Sequence, residues 1–410
     1  MQGGTNLLKV RDFNQQVVLE IIRGASGVSR TEIAYETGLT AQTISNIVRR
    51  LLDEDLVVES GKEPSGGGGK PKVKLKINAD AGYALGAQID RDEIALVLLN
   101  LGGQPLRRIR RAVPASQTPE EVVHLVAESA EELVRHAGGI GHKTLGLGVA
   151  SPGPLDPENG VLYEPPGFKN WGEVHIKQML SERTGYPVLV DNDAMAAAVG
   201  ERWVGKARGI DNFAFVYNGW GLGAGLFLEG HVYRGATGTA GEFGHTPLDP
   251  NGPPCACGNR GCLVRYCSPR DIICAVERRL RAGATSSLAP IQLENPHLLD
   301  LAAIHAAGLA GDWVAAEELA ASGRMLGRAV VSMVNLLDLQ LVVLGGKALG
   351  EAAHIYRREV EVALRKVLYP ERREVRVELS GAGEDAGAVG AASVILHAAY
   401  APRLMSLRSA

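Results

Sequence analysis

The stretch that organises the chain is Glu242-Phe-Gly-His245, running on to Cys255-Ala-Cys257-Gly-Asn-Arg-Gly-Cys262. Four ligand-type side chains, His245, Cys255, Cys257 and Cys262, fall within eighteen residues. Imidazole nitrogen and thiolate sulfur suit a tetrahedral zinc ion, and three cysteines with one histidine form a common structural set. Gly258 and Gly261 let the loop fold the ligands onto one point, and Pro253 and Pro254 stiffen its approach. A Cys255–Cys257 disulfide would be strained. Four protein ligands leave no open position for a catalytic water, so the expected Zn2+ is structural.

The chain has 410 residues, with 45% hydrophobic and 22% charged residues and a formal net charge of -3. That size allows two or three domains. The slightly acidic balance excludes a uniformly basic coat for nucleic acid, so any DNA contact must be local. No apolar run approaches the ~20 residues that span a bilayer. With no apolar signal core at the start, a cytoplasmic protein is expected, nucleoid-associated when DNA-bound. Cys267 and Cys274, left over from the metal set, are expected to be small buried residues.

Residues 1–80 read as a DNA-binding domain. Apolar Phe13, Val17, Leu19, Ile21 and Ile22 mark a helix over 12–23. Ser29 with Glu32 forms a capping box that opens a second helix, and Gly38 ends it. Thr40 then caps a third helix with Ile44, Val48, Leu51 and Leu52 inward. On its outer face lie Gln42, Thr43, Ser45, Asn46 and Arg49, whose groups match base edges and phosphates. The alternation Lys72-Val-Lys-Leu-Lys-Ile77 behind a Gly-rich tip at 66–69 predicts a basic β-hairpin. With Lys70 and Lys72 on phosphate, this completes a winged helix-turn-helix.

From Tyr83 onward, strands alternate with helices, predicting mixed sheets in an α/β body of two lobes. Lobe 1 is placed at 81–200, with a C-terminal helix at about 386–402 packing back onto it. Lobe 2 is placed at 201–385 and carries the zinc site and an oligomerisation surface. No 20–50-residue repeat stands out. Val188-Leu-Val-Asp-Asn-Asp193 is a strand ending in polar groups, the end where ligands sit in open α/β sheets.

On these motifs the chain resembles the ROK family of repressors and sugar kinases, with their actin-like, hexokinase-like fold. The zinc stretch is that family's signature, Val190-Asp-Asn-Asp-Ala194 matches the segment holding the kinases' base, and the winged module matches the regulator branch. The resemblance implies a sugar-responsive transcription regulator, a repressor of carbohydrate genes. It implies a sugar in the interlobe cleft on Asn192, Asp193, Glu242 and His245, and a homodimer or homotetramer on operator DNA. Three departures stand out. The kinases' Asp-x-Gly-Gly-Thr phosphate loop reads Gln88-Ile-Asp-Arg-Asp92. Trp220 replaces a threonine in the second phosphate loop, and Val264 replaces a sugar-contacting glutamate. The lost phosphate loops imply no enzyme and no catalytic residue, so Asp193, at the base position, is read as an acceptor for sugar hydroxyls. The alternative is an ATP-dependent sugar kinase with an attached DNA-binding domain.

Overall fold

The computed structural model describes residues 7–402 apart from 64–70, 114–117, 166, 169–170, 368–370 and 372–373. The Gly-rich hairpin tip and Lys70 therefore lie outside the described residues.

The N-terminal helix spans Leu7–Gly24, beginning earlier than its apolar periodicity indicates. Ser29 caps the helix Arg30–Thr37: its Oγ accepts from the Glu32 N–H at 3.3 Å, and the Glu32 carboxylate accepts from the Ser29 N–H at 2.8 Å. The third helix is Ala41–Asp53, capped by Thr40. The hairpin strands Val57–Glu63 and Lys72–Ile77 pair antiparallel, and Val28–Ser29 adds a third strand. Val18, Ile22, Ile33, Ile44, Val48, Leu51 and Leu75 close the core of this module.

The body contains two five-stranded sheets of one topology. In the first, Tyr83–Ile89 is central. Glu93–Asn100 and then Pro105–Ala112 run antiparallel on one side, and Thr144–Ser151 and then Val188–Asn192 run parallel on the other. In the second, Phe213–Asn218 is central, flanked by Leu222–Leu228 and His231–Val232, and on the parallel side by Leu341–Gly345 and Arg376–Leu379. This duplication is invisible as a sequence repeat because only the apolar pattern is shared. Gly223 and Gly225 lie within the strand Leu222–Leu228. The longest described helix, Trp313–Leu337, spans 25 residues.

Each sheet's fifth strand runs into a helix that packs on the other sheet. Val188–Asn192 leads into Asp193–Trp203, which lies against Phe213–Asn218 and Leu222–Leu228. Arg376–Leu379 leads, through a short turn, into Ala386–Tyr400, which lies against Tyr83–Ile89 and Thr144–Ser151. The two helices also cross each other, and their small residues set how closely. A Cβ on Gly390 would sit 2.3 Å from the Ala196 carbonyl. Overpacking such a contact forces backbone apart. Replacing Gly390 with Val is therefore expected to lower unfolding free energy by about 3 kcal/mol, at the upper end of overpacking penalties. Chemical denaturation followed by circular dichroism measures it.

Candidate functional site

Three features face solvent in functional positions: the metal-type loop, the interlobe cleft and the outer face of the winged module. In the loop, the backbone crosses itself. Cys255 N–H donates to Asn259 O, Gly258 N–H to Cys255 O and Gly261 N–H to Pro253 O. Gly261 adopts φ 60°, where a Cβ would meet the Asp249 carbonyl at 1.9 Å, so only glycine fits. The ligand atoms of His245, Cys255, Cys257 and Cys262 all lie within 4.8 Å of one another. Cys255 Sγ is 3.5 Å from His245 Nδ1, and Cys257 Sγ is 3.6 Å from Cys262 Sγ. A tetrahedral ion with sulfur at ~2.3 Å and nitrogen at ~2.0 Å sets its ligands ~3.3–3.8 Å apart, so the cluster can hold a metal ion. His245 turns Nδ1 inward, which leaves Nε2 for another partner. Of the two remaining cysteines, Cys267 is buried, but Cys274 is exposed. Cys274 lies outside the Ile272/Val276/Leu280 stripe that its helix buries, which overturns the expected burial.

At the cleft, Asn192 caps the helix Asp193–Trp203, its Oδ1 accepting from the Ala194 N–H at 3.0 Å. Burial pushes the Asp193 carboxyl up to about 7, with Asp90 and Glu242 adding repulsion against the Ala194 N–H that stabilises its charge. Burial also raises Asp90. Asp193, next to Asn192, thus lies within electrostatic reach of both Glu242 and Asp90. Val264 is partly buried and packs into the second sheet's core.

Side-chain contacts between the lobes escape a reading of the sequence. Asp191 takes a bidentate pair from Arg234 at 2.8 and 2.6 Å, beside Asn192. Gln88 donates to the buried Tyr217 hydroxyl. Lys347 pairs with Glu93 at 3.1 Å. The Arg91 guanidinium lies 3.2 Å from the centroid of the Trp220 ring, a cation–π contact. It joins the tips of the two equivalent hairpins, Asp90–Asp92 and Gly219–Gly221.

On the winged module, Gln42, Asn46 and Arg49 are exposed and linked. Asn46 Oδ1 accepts from Gln42 Nε2 at 3.3 Å and from Arg49 Nη2 at 3.5 Å. Thr40 and Thr43 bond each other, and Ser45 donates to the Ala41 carbonyl, so these hydroxyls are partly committed to the helix. The basic face of the wing is also reduced, because Lys74 pairs with Glu32 at 3.0 Å and Glu63 at 2.9 Å. Lys72 stays exposed. Tyr35, 93% exposed, lines a notch with Thr31, Glu32, Glu36 and Lys72 between the helix Arg30–Thr37 and the wing.

A winged helix-turn-helix carried on a two-lobed, actin-like body defines a DNA-binding regulator built from a sugar-kinase fold. Residues 84–398 match the ROK family model and residues 14–58 a winged helix-turn-helix DNA-binding model. The chain belongs to the ROK family. It is 28% identical over 394 residues to a xylose repressor of Caldicellulosiruptor bescii, covering 96% of this chain and 97% of the relative. It is 30% identical over 329 residues to a glucokinase of Thermotoga maritima, covering 79% and 98%. A crystal structure of a ROK family transcriptional regulator, described as a homologue of the E. coli MLC protein, superposes with TM-score 0.79 at 27% identity, covering 97% and 99%. No described helix is long and apolar enough to cross a membrane.

Glu32 is held at about 2, first by the Ser29 N–H and then by Lys74. A depressed carboxylate contributes stability above its ordinary 4.5 and loses it as pH falls through about 2. Replacing Glu32 with Gln should therefore lower the melting temperature at pH 7, with the gap to wild type narrowing below about pH 4.5. Thermal melts of both chains across that range check it.

Proposed function

We propose that this chain is a sugar-responsive repressor of carbohydrate genes, without kinase activity. One observation carries the reading. The hairpin tips that would cradle phosphate are joined by Arg91 on Trp220, while Asp193, beside the Asn192 cap, lies within electrostatic reach of Glu242. The sugar binds through hydroxyls shared among those carboxylates and the Asn192 amide. Zn2+ on His245, Cys255, Cys257 and Cys262 holds one wall of the pocket, with His245 Nε2 turned to the ligand. Gln42, Asn46 and Arg49 read operator bases, and Lys70, Lys72, Thr40, Thr43 and Ser45 contact backbone. A homodimer or homotetramer spans a pseudo-palindromic site. Exposed Leu293, Leu298, Leu309 and Trp313 on the second lobe support self-association. The competing reading, a kinase with a DNA-binding domain, is favoured by the glucokinase relative and by Asp193 titrating near neutrality. It predicts ADP release that Asp193→Asn abolishes.

The deciding experiment measures operator affinity by fluorescence anisotropy with and without D-xylose, D-glucose and N-acetylglucosamine. A sugar-dependent shift with no ADP release supports the repressor; sugar-dependent ADP release overturns it. Arg49→Ala should weaken operator binding by about 1–3 kcal/mol, the worth of a base contact. Ionised Asp193 accepts from hydroxyls, so sugar affinity should rise about 10-fold from pH 6 to 8 across a pKa near 7. Titration calorimetry of Asp193→Asn should show weaker binding with no such rise. Cys257→Ser should lose the bound metal by elemental analysis and lower the melting temperature, because an opened site no longer holds the loop.

A further inference from the structure

The helix Asp193–Trp203 begins in the cleft and ends against the DNA-binding module. At its first turn, Asn192 and Asp193 both bond the Ala194 N–H. At its last, the Trp203 carbonyl accepts from Arg23 Nη1, and the Arg23 guanidinium lies 4.1 Å from the centroid of the Trp203 ring. Arg23 sits on the N-terminal helix Leu7–Gly24 and its side chain is only 6% exposed. Glu20, one turn earlier, bridges the two parts of the chain. Its Oε1 is 2.7 Å from Arg23 Nη2 and 3.1 Å from Nη1 of Arg202, the neighbour of Trp203. Leu56 and Ile77 of the module pack onto the same cluster as Trp203.

Between these ends the helix has no slack. Residues 194–201 are all buried. The Ala194 carbonyl lies where a Cβ on Gly225 would be 2.3 Å away, and Ala196 is equally close to Gly390. Contacts this tight transmit a displacement instead of absorbing it, because packed interiors have low compressibility. The helix is about 16 Å long at 1.5 Å per residue, so one rigid element connects the two sites.

We propose that this helix transmits occupancy of the cleft to the DNA-binding module, with Arg23, Glu20 and Trp203 as the positioning contact at its far end. The proposal rests on the reading that a sugar binds at Asn192 and Asp193. A ligand bonded there moves or fixes the first turn, and the docked module follows the last. Coupling of this kind is reciprocal, so DNA on the module must also alter the first turn.

The test uses the full chain, wild type and two variants, Arg23→Met and Glu20→Gln. The DNA is a duplex selected from random sequence on the wild-type protein. With D-xylose, D-glucose or N-acetylglucosamine present, wild-type operator affinity should change by about 10-fold, within the usual range of allosteric coupling. Both variants should still bind the duplex, and bind sugar with unchanged affinity by calorimetry, while the sugar-induced change falls below about 2-fold. A full-sized change in both variants overturns the relay. If no sugar affects wild-type melting or DNA binding, the sugar reading fails, and hydrogen exchange then decides the relay alone. Duplex binding should alter exchange of the 194–198 amides in wild type and leave them unaltered in Arg23→Met. No alteration in wild type, or the same alteration in the variant, overturns it.

Discussion

Everything in the body depends on two helices crossing at a distance that only glycine and alanine permit. Asp193–Trp203 and Ala386–Tyr400 each leave one sheet and cover the other, with Gly390 against Ala196 at their crossing. Larger side chains would separate the backbones and, with them, the lobes. The cleft is therefore not a gap between two independent units. Its floor is the start of one crossing helix, and the polar groups Asn192 and Asp193 are placed by the same packing that joins the sheets.

The cleft's electrostatics favour a polyhydroxylated ligand over an anionic one. Burial raises Asp193 to about 7, and the nearby carboxylates of Asp90 and Glu242 add to the shift. The nearby cations are already engaged: Arg234 with Asp191, Lys347 with Glu93, Arg91 with Trp220. A neutral ligand rich in hydroxyls can satisfy carboxylate acceptors, whereas a polyphosphate would meet their charge.

Local chemistry in this chain was legible, and contacts across the lobes were not. The capping box at Ser29 and Glu32, the Thr40 cap and the four ligand-type side chains are set by short spacings, and they fold as those spacings indicate. In the wing, alternation locates Lys74 on the basic face without revealing that Glu32 and Glu63 reach it. Cys274 was misplaced because a residue type's average burial was used where the helical stripe decides. Arg91 on Trp220 and Gln88 on Tyr217 join residues well over a hundred positions apart, and no local pattern marks such pairs. The matching topology of the two sheets is likewise set by long-range pairing and leaves no repeat in the sequence.

The crossing helices also set an order of events during synthesis. The buried core of the winged module comes from residues 18–75, so that core is local in sequence and can form soon after it leaves the ribosome. The first sheet cannot be completed so early. Its face at Tyr83–Ile89 is covered by Ala386–Tyr400, the helix about three hundred residues downstream. Until that helix is made, an apolar sheet face stays open, the condition under which nascent chains aggregate or recruit chaperones. A ribosome-bound intermediate of this chain thus carries a finished DNA-binding head on an unfinished body.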